Sequence, residues 1–234
     1  MKDVEKRFIR TFILLGRQAA LLNYLSEERK PRVLSSFENC FASGLPGLRD
    51  VVAVYEFAFA LVDNVHRYFT IASSLPKFNK KSPEFRQLTK KTDGIEDLRN
   101  LLQHLRGDID TEFESPILGG VTWANGLTNY MACFHEIGDQ RSVPGLVFDS
   151  VAGAFIQQFC YVHDGKYYDL MLAIEGCREY QSYVEAVAEV QIDGTPYRID
   201  GHFTALKMDI RPLIKAVGAV DQSEAAEKSG NQNE

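Results

Sequence analysis

The segment from Leu48 to Ser73 is apolar on most faces of the helix that its spacing predicts, with Val51, Val54, Tyr55, Ala58, Leu61, Val62, Val65 and Phe69 at three- and four-residue steps. Such a helix must be covered on most sides, so it is expected at the centre of a bundle or against a second subunit. Its longest apolar stretch, Val51 to Val62, is interrupted by Glu56 and followed by Asp63, His66 and Arg67. That is too short and too charged to cross a bilayer. Phe12 to Gly16, flanked by Arg10 and Arg17, is too short for the apolar core of a secretion signal. The expectation is a cytoplasmic protein that does not engage membranes.

Three further helices are predicted around this one. Val4, Phe8, Phe12, Leu15, Ala19 and Leu22 form a stripe over about Asp3 to Ser26. Pro31 suits the first turn of a helix to about Ala42, which Gly44, Pro46 and Gly47 end. A last helix is expected over Pro83 to Arg106, with a break at Gly94 and with Ile95, Leu98, Leu102 and Leu105 in register. Short connections favour antiparallel neighbours. The fold class is therefore α+β: an N-terminal antiparallel up-and-down bundle of four helices, followed by a smaller β-rich portion with hairpins.

The pattern changes after Asp110. Pro116, Gly119, Gly120 and Gly126 punctuate short runs, Ile117 to Trp123 and Thr128 to His135, that read as strands or extended pieces. Asp164-Gly165 and Asp193-Gly194 each join two β-prone runs, the signature of a two-residue hairpin turn. Periodicity does not decide between helix and strand for Glu175 to Ala188. The expected organisation is a helical domain over 1–110, a β-rich portion packed on it over 111–218, and a disordered polar tail over 219–234.

Charge separates these parts. Net charge is −6 over the 234 residues, but residues 1–110 carry 18 Lys/Arg against 14 Asp/Glu, or +4, leaving −10 for the rest. A generic polyanion binder is excluded. Cys40, Cys133, Cys160 and Cys177 are far apart with no CxxC pair, the pattern of free thiols rather than a zinc ribbon. No cofactor or metal is implied. Asp63 and His66, with Glu56 before them, lack the repeat of a di-metal site and are expected to face the fourth helix. His135-Glu136, His163 and His202 form no recognisable triad, and Gly119-Gly120 is followed by no phosphate-loop Lys-Ser/Thr. Trp123, Tyr161, Tyr167 and Tyr168 read as core aromatics of short strands.

One constellation carries chemistry: Arg99-Asn100-Leu101-Leu102-Gln103-His104. Asn100 and His104 are four apart and share a helix face, whereas Arg99 and His104 diverge by about 140° at the helical pitch. Arg99 and His104 converge only if the helix kinks or if two copies supply one cleft. A cleft of that kind suits RNA cleavage. An imidazole takes the 2′-hydroxyl proton, with Asn100 orienting it, and a guanidinium offsets charge on the phosphoryl oxygens. Lys77, Lys80, Lys81, Arg86, Lys90 and Lys91 would give RNA a basic approach, or serve as a solvated loop and helix end. Ordinary ion pairs to Asp93, Glu96, Asp97 and Asp108 would employ Arg99 and His104 equally well.

An arginine, an adjacent polar residue and a histidine after four intervening positions, late in an all-helical bundle, resembles the signature of the HEPN superfamily. The resemblance covers residues 1–107 as helix pattern and Arg99, Asn100 and His104 as residues. It implies a bundle that forms a homodimer. In catalytic members it implies a metal-independent endoribonuclease that uses arginine and histidine of both subunits and leaves a cyclic phosphate. Other relatives act as non-catalytic binding or scaffolding modules. Residues 111–200 are not part of that pattern, and their acidity suits a protein partner.

Overall fold

The computed structural model describes residues 3–108, 116–135, 141–156, 158–188, 191–192 and 195–196, with backbone alone for 105–108 and for the last two pairs. It is an α+β fold of helices with a small antiparallel sheet. The tail expected over 219–234, and the strand expected beyond Thr195–Pro196, lie outside the described residues.

The N-terminal helices divide differently from the four expected. Helix α1 (Asp3–Asn23) and helix α2 (Lys30–Ser43) are joined without a break by a π-helical turn, Tyr24–Arg29. Within it the Lys30 N–H bonds to the Leu25 carbonyl, five residues back. The next residue is Pro31, which has no N–H to donate, and the widened turn before it lets the chain stay helical through a residue that ordinarily ends a helix. At the other end, the break expected at Gly94 divides the fourth helix in two. Helix α4 (Pro83–Lys91) ends three residues before Gly94 and helix α5 (Ile95–Asp108) begins after it; Gly94 turns the chain at φ +75°, and an added Cβ there would come within 2.9 Å of the Tyr168 ring.

Helix α3 (Leu48–Ser73) opens with the Gly47 N–H donating to Asp50 Oδ2 at 3.0 Å. It runs antiparallel to the α1–α2 rod. Gln18 Nε2 donates to Asn64 Oδ1 at 2.6 Å, and Arg29 bonds Glu56 at 2.8 Å further along the same seam. Val54, Phe57, Ala58, Leu61, Val62 and Val65 are fully or almost fully buried. Each large apolar side chain so covered contributes roughly 1.5–3 kcal/mol relative to exposure. The covering comes from within the chain, which makes α3 the central helix.

The sheet lies against one side of α3. Its order is β2-β1-β5-β6, all antiparallel, from β1 (Gly120–Asn125), β2 (Thr128–Cys133), β5 (Phe159–His163) and β6 (Lys166–Asp169). Strand alternation sends Val121, Trp123, Phe159 and Tyr161 toward the helices, where Phe57 meets Phe159 and Phe37 meets Trp123. The opposite face carries Cys160 and Val162 under Val143 and Leu146. Between β2 and β5 the chain forms the short pair β3 (Phe148–Asp149) and β4 (Ala154–Phe155). At the β5–β6 turn Asp164 and Gly165 have φ of +47° and +70°, the left-handed values that a two-residue hairpin requires. Two-residue strands β7 (Gln191–Ile192) and β8 (Thr195–Pro196) pair antiparallel, Gln191 with Pro196 and Ile192 with Thr195, while the turn expected at 193–194 lies outside the described residues.

The segment that periodicity left open is helical. Helix α6 (Leu170–Val187) starts where the Asp169 carboxylate accepts the Met171 and Leu172 N–H groups, both at 3.0 Å. It packs on α4, α3 and α1, with Tyr180 edge-on to Phe85 and the Tyr68 hydroxyl donating to Gln181 Oε1 at 3.2 Å. Arg178 holds it to the π turn through Asn23, Ser26 and Glu27. Among the described residues no helix is long and apolar enough to cross a membrane.

Candidate functional site

Buried Ile95 and Leu98 fix the rotation of α5 on α3 and thereby aim Arg99 at α3. The two helices are antiparallel here, so that Asp63 stands opposite Arg99 and His66 opposite Glu96. Asp63 Oδ1 is 3.6 Å from Arg99 Nε, and Asp63 Oδ2 is 3.7 Å from Arg67. One carboxylate thus serves two guanidiniums. The Arg99 side chain is 29% exposed and that of Asp63 is 42% exposed, so both remain open to water.

The groove between the helices holds two separate lobes, one on each side of this crossing, with no lining residue in common. The first, of about 210 Å³, is lined by Phe59, Val62, Asp63, Arg99, Gln103 and Leu118 among others. The second, of about 200 Å³, lies at the α4–α5 corner and includes His66, Phe69, Thr92, Asp93, Glu96 and Asp97. Burial, and then the charge of Arg99, hold the His66 imidazole below its ordinary pKa, against Glu96 and Asp63, which push it up, while Arg67 lowers it further. Among the described residues no group of three or more His, Cys, Asp and Glu side chains is placed to hold a metal ion.

The predicted motif is divided by this geometry. Arg99 faces the groove. Asn100 and His104 are exposed and line neither lobe. His104 has φ −115° and ψ 20°, outside helical values, so α5 breaks at the residue that the motif singles out. Asp63 and His66 face the fourth predicted helical segment, as their positions on α3 lead one to expect.

The basic residues also divide. Lys80, Lys81, Arg86 and Lys90 are exposed, and Lys77 lies over the Phe8 ring at 5.4 Å with φ +68°. Lys91 is only 12% exposed and is engaged by Glu175 at 3.1 Å and Glu179 at 2.9 Å on α6. Neither lobe is lined by any of the six. Cys160 and Cys177 are buried, while Cys40 and Cys133 are half-buried, and all four are free thiols. His135 Nε2 lies 3.4 Å from Cys133 Sγ, and His163 Nε2 lies 3.2 Å from the Ile117 carbonyl, outside the groove. Trp123 and Tyr161 are core residues, whereas Tyr167 stays exposed and bonds the Gly145 carbonyl at 3.2 Å.

The residue that local spacing did not reveal is His66. Its tie to Arg99 runs between helices more than thirty positions apart in the sequence. The available signal was a matched i, i+3 pair on each of two antiparallel helices: Asp63 and His66 on α3, Glu96 and Arg99 on α5. Compared with protein-family models, with curated proteins and with solved structures, the chain gives no significant match.

Proposed function

We propose that this protein is a HEPN-like, RNA-directed module acting as a homodimer through its helices, a metal-independent endoribonuclease in which Arg99 and His104 of the two copies share one cleft. The observation that carries the reading is the position of Arg99. Its guanidinium is held half-open at a groove by Asp63, and His104 stands exposed at the break of the same helix. Arg99 would stabilise the phosphoryl oxygens, His104 would transfer the proton, and Asn100 would orient the imidazole. Exposed Lys80, Lys81, Arg86 and Lys90 give RNA its approach.

The test is incubation of purified protein with structured RNA in EDTA, with light scattering on the same sample. Cleavage that persists without metal, falls about 100-fold or more in His104→Ala and Arg99→Ala, and comes from a dimer supports the proposal. A strictly monomeric protein that neither binds nor cuts RNA overturns it.

A second reading, a non-catalytic dimeric scaffold, is favoured by Asp63, a carboxylate already placed where a phosphate would meet Arg99. The −10 balance of residues 111–234 suits a protein partner in that case. RNA binding without cleavage, or capture of a basic partner at low salt, supports this version.

A further inference from the structure

We propose that the outer face of α1 is an RNA-binding surface, along which a phosphodiester backbone lies on Arg7, Arg10 and Arg17; this rests on the RNA-directed reading above and gives it a contact region other than the groove. At 100° per residue Arg7, Arg10, Leu14, Arg17, Leu21 and Tyr24 fall within an arc of about 100° and along about 25 Å of helix. All six are exposed, turned away from the side of α1 that buries Phe12, Leu15, Ala19 and Leu22. Residues 6–26 carry Lys6, Arg7, Arg10 and Arg17 and no acidic residue. Arg29, Arg32, Arg67, Arg99 and Arg178 each have a carboxylate within ion-pair distance. Among the described residues Arg7, Arg10 and Arg17 have none.

A second basic segment meets this helix. Phe78 stacks on Phe8 with ring centroids 6.2 Å apart, and the Lys77 ammonium stands 5.4 Å from the centre of the same ring. The connection that carries Lys77, Lys80 and Lys81 therefore lies against the first turns of α1, and two stretches far apart in the sequence supply one cationic end of the molecule. The acidic residues beside it are Asp3 and Glu5 in the first turn of α1 and Glu84 in that of α4. Charge selects the occupant. A second copy of this face would set arginine against arginine. A bilayer takes an apolar face with cations on the opposite, polar one, whereas Arg10 and Arg17 lie within the arc between Leu14 and Tyr24. A polyphosphate chain suits the whole surface: guanidiniums and ammoniums neutralise its phosphates, and Tyr24 offers a ring face to an unpaired base.

The test is binding of a labelled structured RNA in EDTA across a salt series, with the full chain throughout. Wild type is compared with Arg7→Gln, Arg10→Gln and Arg17→Gln, alone and together, and with a control that combines Arg49→Gln and Lys166→Gln at exposed positions on other elements. The triple variant is expected to lose about 10- to 100-fold in affinity at low salt, with a salt slope smaller by about two to three, and each single variant a slope smaller by about one. The control is expected to bind like wild type, and circular dichroism melting to find every variant folded. Single and triple variants that overlay wild type at every salt concentration overturn the α1 surface and leave the RNA-directed reading standing. A loss of equal size in the control overturns it in the same way, as does a triple variant that loses binding to phosphatidylserine vesicles and keeps binding to RNA. Failure of wild type to bind RNA overturns the RNA-directed reading and the α1 surface together.

Discussion

Asp63 and Arg99 meet across two antiparallel helices, with Oδ1 3.6 Å from Nε, and the same carboxylate also reaches Arg67. The pair occupies the boundary between the two lobes of the groove, so an anion approaching Arg99 must compete with a carboxylate already there.

Asp63→Asn removes that competitor and leaves both guanidiniums in place. Because the three side chains are partly exposed, the loss of stability stays within about 1 kcal/mol. RNA affinity is expected to rise, measured by fluorescence anisotropy at constant salt. An unchanged or weaker affinity means that Arg99 does not meet the phosphate.

Lys91 is expected to act in stability rather than in RNA binding, because its ammonium is taken up by Glu175 and Glu179. Burial alone would lower its pKa, but the two carboxylates outweigh that and raise it above 10.5. A cation with a raised folded-state pKa adds stability that is complete below the unfolded value and is lost as pH rises through the folded one. Denaturant unfolding should show Lys91→Met less stable than wild type at pH 7 by roughly 1 kcal/mol, with the gap closing above pH 10.5. Lys80→Ala and Lys81→Ala should instead weaken RNA binding with little effect on unfolding.

Gly94→Ala and Gly126→Ala separate backbone strain from steric contact. Both glycines have positive φ, but an added Cβ meets the Tyr168 ring at Gly94 and nothing at Gly126. Strain alone costs about 1–2 kcal/mol. Thermal melting should show Gly94→Ala as the more destabilised of the two, by about 1 kcal/mol or more for the displaced ring. Equal losses would mean that Tyr168 yields freely.

The thiols should react in two classes. Burial pushes Cys160 up to about 12 and raises Cys177 as well, so both should resist a thiol reagent at pH 8 until the protein unfolds. Cys40 and Cys133 are half-buried and should label first. Four equal rates in the folded protein would contradict the packing of β5 and α6.

Much of the fold was legible from local pattern. The all-round apolarity of 48–73 predicts the central helix, and Asp164-Gly165 predicts the β5–β6 hairpin, because in each case the physical cause lies within one short segment. Pro31 marks the first turn of α2 as expected, but not the helical join before it. That join depends on the widened turn just before Pro31, which no propensity at Pro31 reports. Helix α6 was undecided because its packing against α4 and α1, not its own periodicity, settles its state. At the site, Arg99 and His104 stand out by spacing, yet spacing cannot tell which side chain faces α3. His66 was visible as a residue but not as the neighbour of Arg99, since that relation exists only once two distant helices are antiparallel.

The most direct measurement is equilibrium binding of a labelled structured RNA in EDTA, taken across a salt series for wild type and Arg99→Ala. Wild-type binding that weakens with salt, and an Arg99→Ala protein that binds more weakly with a salt slope smaller by about one, is the result expected if Arg99 contacts a phosphate. A wild type that binds no RNA, or an Arg99→Ala curve that overlays it at every salt concentration, would contradict the assignment.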